Sequence, residues 1–404
     1  MSKPIGMLFF KHGYKHQKTN KIYAPQTKVN WRHKVPFLSI LNGRLIDLAA
    51  PVNLNVWWNF GSMLGLVLGV QIVSGLVITM HYCCDTSLSF DSISHIMRDV
   101  YAGWFFRYIH ANGASFFIMA LYIHVGRSIY YGSFKMWSTF GIGILLALLV
   151  IATAFLGYVL PWGQISFWGA TVITNLVSAI PLVGPDIVVW LWGGFSVDNA
   201  TLTRFFTFHF LLPFIIRALT IIHIFFLHQT GSNNPLGLNC SPDKVAFHWY
   251  YSIKDVSGFV FLISVFLFVI FFAPTLFFEP DNFIPANPLV TPSHILPEWY
   301  FLFAYAILRC IPTKLPGTGM LFSRILLLGF LSKNHNRSMK GLTWYGPLKF
   351  IFWTHISCFF FLTLAGAWPV RSPFVGTTQL LSLIYVSYFV HIDLLRGWWE
   401  DLIF

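Results

Sequence analysis

Apolar residues run along this chain in long blocks, broken by polar or Pro- and Gly-rich connections. The blocks lie near residues 58–80, 102–130, 137–160, 203–230, 255–274, 316–332, 348–366 and 376–395. A hydrocarbon core about 30 Å thick is crossed by about 20 helical residues. A backbone in lipid must also satisfy its own hydrogen bonds, which an α-helix does. The pattern therefore predicts an all-α polytopic membrane protein with eight transmembrane helices, the sixth being the shortest. Two connections, 161–202 and 275–315, are long, rich in Pro, Gly and Trp and nearly free of lysine. Long connections inside a compact fold usually carry function.

Charge sharpens this picture. Only 10% of the 404 residues are charged and 56% are hydrophobic, whereas a soluble domain carries about 25% charged residues. The formal net charge is +12. In a soluble chain that would raise nucleic-acid binding, but Lys3, Lys11, Lys15, Lys18, Lys21, Lys28, Arg32, Lys34 and Arg44 all precede the first apolar block. Such a placement is an orientation signal, and no nucleic-acid partner is expected. Lys135, Lys244, Lys254, Lys333, Arg337 and Lys340 fall on the same side as the termini, while Asp85, Asp91, Asp99, Asp186, Asp198, Glu279 and Asp281 fall opposite. Both termini are thus expected on the cytoplasm-like face of a lipid bilayer. Residues 1–45 form a basic extension without the apolar core of a cleavable signal. The five cysteines form no C-x-x-C pattern, so neither metal ligation nor covalent haem attachment is expected of them.

The second block reads "RYIHANGASFFIMALYIHVGR" from Arg107 to Arg127, with His110 and His124 inside it. The fourth places His209 and His223 in similar surroundings. Both pairs are fourteen residues apart, which is two heptads. In a left-handed bundle the two histidines of a helix then share one seam. They stand about 21 Å apart along the axis. Gly61 and Gly75 in the first block, and Gly143 and Gly157 in the third, repeat the same spacing. A missing side chain lets a flat macrocycle approach the backbone. The first four helices are therefore predicted to form a left-handed bundle around two planar centres, each held by one imidazole from each of two helices. Two imidazoles with no other ligands suit a haem iron, whereas a closed zinc site takes four protein ligands. Arg107 and Arg127 lie one turn beyond the histidines, where they can pair haem propionates or extend toward the headgroups.

Several longer runs carry a resemblance: "IDLAAPVNLNVWWNFGS" from residue 46, "GYVLPWGQISFWGATVITNL" at 157–176, "SVDNATLTRFF" at 196–206, "GSNNPLG" at 231–237 and "PEWYFLFAYAILR" at 297–309. With the histidine spacing, they make the chain resemble the cytochrome b family in its mitochondrial form. That family is the membrane core of quinol–cytochrome c oxidoreductase (complex III). The resemblance spans residues 46 to about 391. It implies a di-haem part at 46–250 and a C-terminal transmembrane part at 251–404 carrying the quinol-site loop. It also implies two non-covalent haem b groups, the low-potential one on His110 and His209 and the high-potential one on His124 and His223. Ubiquinol would be oxidised at the outer face and ubiquinone reduced at the matrix face, in a Q cycle that translocates protons. The implied partners are a Rieske iron–sulfur protein, a cytochrome c1-like protein and other complex III subunits, in a dimeric complex. The implied location is the mitochondrial inner membrane, with both termini in the matrix.

Glu298 follows Pro297 beside an aromatic stretch. Such surroundings raise a carboxyl pKa toward the range useful for taking a proton from a quinol. The plainer alternative is a cap on the helix that follows. The resemblance places Glu298, Tyr305, Tyr158 and Gly169 around the quinol-oxidation pocket. On the terminal side, His228 and Asp255 can relay protons to a quinone. There the plainer alternative is an ordinary helix start capped by Ser252. The resemblance adds Lys254, Ser232, Trp58 and Asn59 to that pocket. The chain departs from the family at its first 45 residues, at Arg217 between two haem-ligand positions, and at the short sixth block. Rival readings are a di-haem anchor of another quinone oxidoreductase and a non-redox transporter. The first usually has fewer helices and lacks a PEWY loop, and the second would show no b-type bands.

Overall fold

The computed structural model describes residues 34–331 and 340–403. The basic segment up to Arg32, together with Lys333 and Arg337, lies outside the described residues. Two compact units divide after Leu48. In the first, a short helix at Pro36–Leu41 runs into a wider turn at Asn42–Ile46. The second is almost wholly helical.

Its helices are α1 (Phe60–Thr79), α2 (Ser89–Arg98), α3 (Gly103–Tyr131), α4 (Trp137–Val159), α5 (Gln164–Asn175), α6 (Gly184–Trp192), α7 (Asn199–Thr230), α8 (Phe247–Phe272), α9 (Leu302–Arg309), α10 (Lys314–Leu331), α11 (Gly346–Gly366) and α12 (Phe374–Ile403). Among the described residues, seven helices are long and apolar enough to cross a membrane: α1 with its preceding turn, α3, α4, α7, α8, α11 and α12. The expected sixth span exists as α10, 18 residues long, but is not one of the seven.

Observed ends differ from the apolar blocks where polar residues belong to a helix. At the start of α7, Asp198 and Thr201 form a reciprocal capping box, which carries the helix back to Asn199. The α8 helix begins at Phe247, with a break at His248 and Trp249. Lys254 and Asp255 thus lie inside it, and Ser252 pairs with His248 at 3.0 Å instead of capping. The α12 helix runs on to Ile403 through a mixed polar segment.

The tightest helix pairs are α1 with α3 and α4 with α7; α8 packs on α1 and α3, α11 on α9 and α12, and α10 against α4. One core cluster joins α1, α3, α4 and α7 to the turn at residues 299–301 through Val67, Phe117, Ile118, Val150, Ile216 and Tyr300. Another joins the end of α3 to α11 and α12 through Ile129, Phe352 and Tyr388. The only sheet among the described residues pairs β1 (Ala49–Pro51) with β2 (Lys244–Ala246), antiparallel, with Ala49 opposite Ala246. It fixes the entry to α1 beside the entry to α8. Gly132 ends α3 with φ of 74°, a left-handed conformation that glycine adopts without strain.

Candidate functional site

The α3 and α7 helices bring the four histidines together in two pairs. The ring centroids of His110 and His209 are 6.0 Å apart, and those of His124 and His223 are 6.4 Å apart. Each glycine lies against one of these rings. A Cβ on Gly61 would stand 3.4 Å from His124, one on Gly143 3.2 Å from His223, and one on Gly75 3.0 Å from His110. On Gly157 it would collide with His209. The α1 glycines therefore make room for the α3 imidazoles, and the α4 glycines for those of α7.

Hydrogen bonds orient the rings. Nδ1 of His209 donates to the carbonyl of Thr153 at 2.8 Å. Nδ1 of His110 lies 3.0 Å from Ser74 Oγ, whose own proton goes to the carbonyl of Val70 at 2.7 Å. The serine oxygen therefore accepts from the imidazole. Both rings then present a bare Nε2, the tautomer a metal requires. At His124 the polarity is reversed. Arg127 Nη2 donates to Nδ1 of His124 at 3.1 Å, and the same guanidinium sits over the Trp58 ring at 5.2 Å.

A cavity of about 480 Å³ opens at the His110–His209 pair, a size suited to a small cofactor or substrate. Gly75, Arg107, Gly157, Tyr158, Glu279 and Glu298 line it with the two histidines. Burial pushes the Glu298 carboxyl from its ordinary 4.5 up to about 8; the negative charge of Glu279 adds to this and Arg107 opposes it. Glu279 is itself raised, by burial and then by Asp281. Glu298 precedes the turn at Trp299–Phe301, yet its side chain makes no capping hydrogen bond among the described residues. The capping alternative is therefore not what this geometry shows. Gly169, on α5, has open space around its backbone and is not part of the cavity lining. Tyr305, on α9, also lies outside that lining, and its hydroxyl donates to the carbonyl of Ile295 at 3.1 Å.

At the other end, Asp255 accepts from Ser62 Oγ at 2.8 Å. Asn59 donates to the carbonyl of Lys254 at 2.7 Å, and Lys254 Nζ donates to the carbonyl of Leu54. The structure thus joins Asn59, Lys254 and Asp255 across α1 and α8. His228 closes the last turn of α7, and Ser232 follows it in a partly buried loop.

Comparison with known proteins agrees with this architecture. The family Cytochrome b/b6/petB matches residues 45–231, and Cytochrome b(C-terminal)/b6/petD matches residues 285–386. A solved chain of a hyperthermophilic respiratory Complex III is 30% identical, with a TM-score of 0.85, over 92% of this chain and 100% of that one. The chain belongs to the cytochrome b family, and family membership implies that it binds haem b.

The residues fit that group. His110 and His209 present Nε2 as they stand, and His124 does so once Arg127 turns away from Nδ1. Sequence reasoning did not single out Ser74, Thr153 or Glu279 for this site, nor Ser115 and Tyr122. Trp299 Nε1 donates to Ser115 Oγ at 3.1 Å, and Tyr122 donates to the carbonyl of Tyr300 at 2.6 Å. These two bonds pin the turn after Glu298 to α3. A hydroxyl next to Gly75, and another four residues before Gly157, were the available signals for Ser74 and Thr153.

Proposed function

We propose that this chain is the transmembrane electron-carrying subunit that oxidises ubiquinol at the outer face and reduces ubiquinone at the matrix face. The observation that carries the reading is a cavity in which an imidazole pair meets a partly buried carboxylate of raised pKa. His110 and His209 hold one haem b, and His124 and His223 the other, with Arg107 and Arg127 pairing the propionates. When bound, the two haems supply one-electron carriage between the two ends of the bundle.

Glu298 accepts a proton from a quinol hydroxyl. A base with a pKa near the working pH combines an adequate ionised fraction with adequate proton affinity. Tyr158 lines that pocket, and Tyr305, outside the lining, holds the segment before Glu298 through Ile295; Gly169 enters only by the family resemblance. At the opposite end, Asp255 and His228 deliver protons to a quinone held among Trp58, Asn59, Ser232 and Lys254. Proton uptake at one face and release at the other couples electron transfer to proton translocation. Likeness to the mitochondrial family supports a place in the mitochondrial inner membrane with both termini in the matrix. It also supports a dimeric complex with a Rieske protein and a cytochrome c1-like protein.

The test is a haem count with reduced-minus-oxidised spectra on the purified complex. Two b-type haems per chain are expected, and loss of at least one in His110→Leu, because His209 loses its partner and a cavity remains. A His110→Leu protein with two haems and native spectra would reject the pairing. Glu298→Gln should keep both haems and lower quinol oxidation by about 10²-fold. Turnover unchanged across pH 6 to 9 would make Glu298 structural only.

A further inference from the structure

Arg309 ends α9, the helix that follows the Glu298 turn. Its Nη2 donates to the carbonyls of Gly366 at 2.6 Å, Trp368 at 3.0 Å and Ala365 at 3.3 Å. Those carbonyls lie at and just beyond the C-terminal end of α11, where the helix dipole leaves negative charge. The same guanidinium lies 4.4 Å from the centroid of the Tyr305 ring. It therefore works in two directions, donating in its plane to α11 and stacking on Tyr305 with its face. A planar fork does both at once, whereas an ammonium does not.

Tyr305 passes the restraint on. Its hydroxyl donates to Ile295, three residues before Glu298. On the far side, the turn is closed by Phe301 N donating to the carbonyl of Glu298 at 2.8 Å. Ser115 and Tyr122 fix residues 299 and 300 to α3. The Glu298 turn is thus held from two sides, by α3 and by α11, and Arg309 makes the second attachment.

We propose that Arg309 is a positioning residue for quinol oxidation. Through Tyr305 it holds the segment from Ile295 to Glu298 and so sets where the Glu298 carboxyl sits relative to Glu279, Arg107 and Tyr158. The proposal rests on the reading of Glu298 as proton acceptor. If Arg309 is lost, Tyr305 loses its support, the turn loosens and water reaches the carboxyl. Glu298 then titrates lower, because burial is the main cause that holds it up.

The experiment compares Arg309→Gln, Arg309→Lys and Glu298→Gln in the intact complex, with b-haem spectra taken first to normalise for assembly. In Arg309→Gln the acid limb of quinol oxidation should move down by about one pH unit and the KM for quinol should rise about tenfold. The infrared titration of the carboxyl band that disappears in Glu298→Gln should move in the same direction. Arg309→Lys, which keeps the charge and hydrogen-bond donors but not the planar face over Tyr305, should recover assembly but not the pH profile. If Arg309→Gln does not assemble, Arg309→Lys decides the matter by the same two titrations. Native acid limb and carboxyl titration per haem-loaded complex, in whichever variant decides, would overturn the proposal and leave Arg309 a helix cap. If Glu298→Gln itself loses neither activity nor a carboxyl band, the failure lies with Glu298 as acceptor and not with Arg309.

Discussion

At the scale of single residues, Glu298 makes the sharpest statements about pH. As a base it must be ionised, so quinol oxidation should rise with pH up to about 8, and Glu298→Gln should flatten that rise. Stability runs the other way. Between the ordinary 4.5 and about 8 the folded chain holds a proton here that the unfolded chain has released. Because the native state binds more protons, its stability falls as pH rises through that window. Thermal melts of the purified complex from pH 5 to 8.5 should show a decline that is shallower in Glu298→Gln. The carboxylate was legible in the sequence as an acid set among aromatic residues. The role of Arg309 was not, because its partners are backbone carbonyls 56 to 59 residues further on. No residue type in a sequence marks which carbonyl a guanidinium will reach.

Among helices, the four glycines form a graded series that mutation can read. A Cβ at Gly61 would meet His124 at ordinary contact distance, those at Gly143 and Gly75 are progressively tighter, and one at Gly157 runs into His209. Overfilling a packed site costs about 1–3 kcal/mol. Haem occupancy and melting temperature should therefore fall in the order Gly61→Ala, Gly143→Ala, Gly75→Ala, Gly157→Ala, the first remaining close to native. Equal losses in all four would mean that the imidazole contacts do not set the tolerance. The spacing of fourteen was readable because a helix turns a sequence interval into a fixed face. Which neighbour each glycine admits was not readable, since that depends on the pairing of α1 with α3 and α4 with α7. The hydroxyls of Ser74 and Thr153 stayed hidden for a related reason. A lone hydroxyl in an apolar helix usually bonds back to its own turn, and Ser74 does this to Val70 as well as reaching His110.

Across the whole molecule, apolar blocks foretold the spans but not where polar residues join them, as at the starts of α7 and α8. Arg217 stands near the middle of α7 and is exposed on the outside of the chain. A guanidinium at the centre of a span costs about 2.5–3.5 kcal/mol on insertion scales. Arg217→Leu should thus insert more readily in a glycosylation-mapped insertion assay while leaving the haem spectrum intact.

The grip of α3 on the Glu298 turn has another consequence, for covalent continuity. Residues 115 and 122 hold residues 299 and 300 across an intervening stretch of more than 170 residues. The β1–β2 pairing and the bond from Tyr251 to the carbonyl of Pro51 cross the same divide. The peptide link between the two parts therefore does little that these contacts do not already do. Cutting the exposed loop after Asn239 and co-expressing the two pieces should return a complex that co-purifies and keeps both b-type bands. Ser115→Ala with Tyr122→Phe, tolerated in the intact chain, should lower the yield of the co-purified pair without abolishing it, because the β1–β2 pairing and the Tyr251 bond remain.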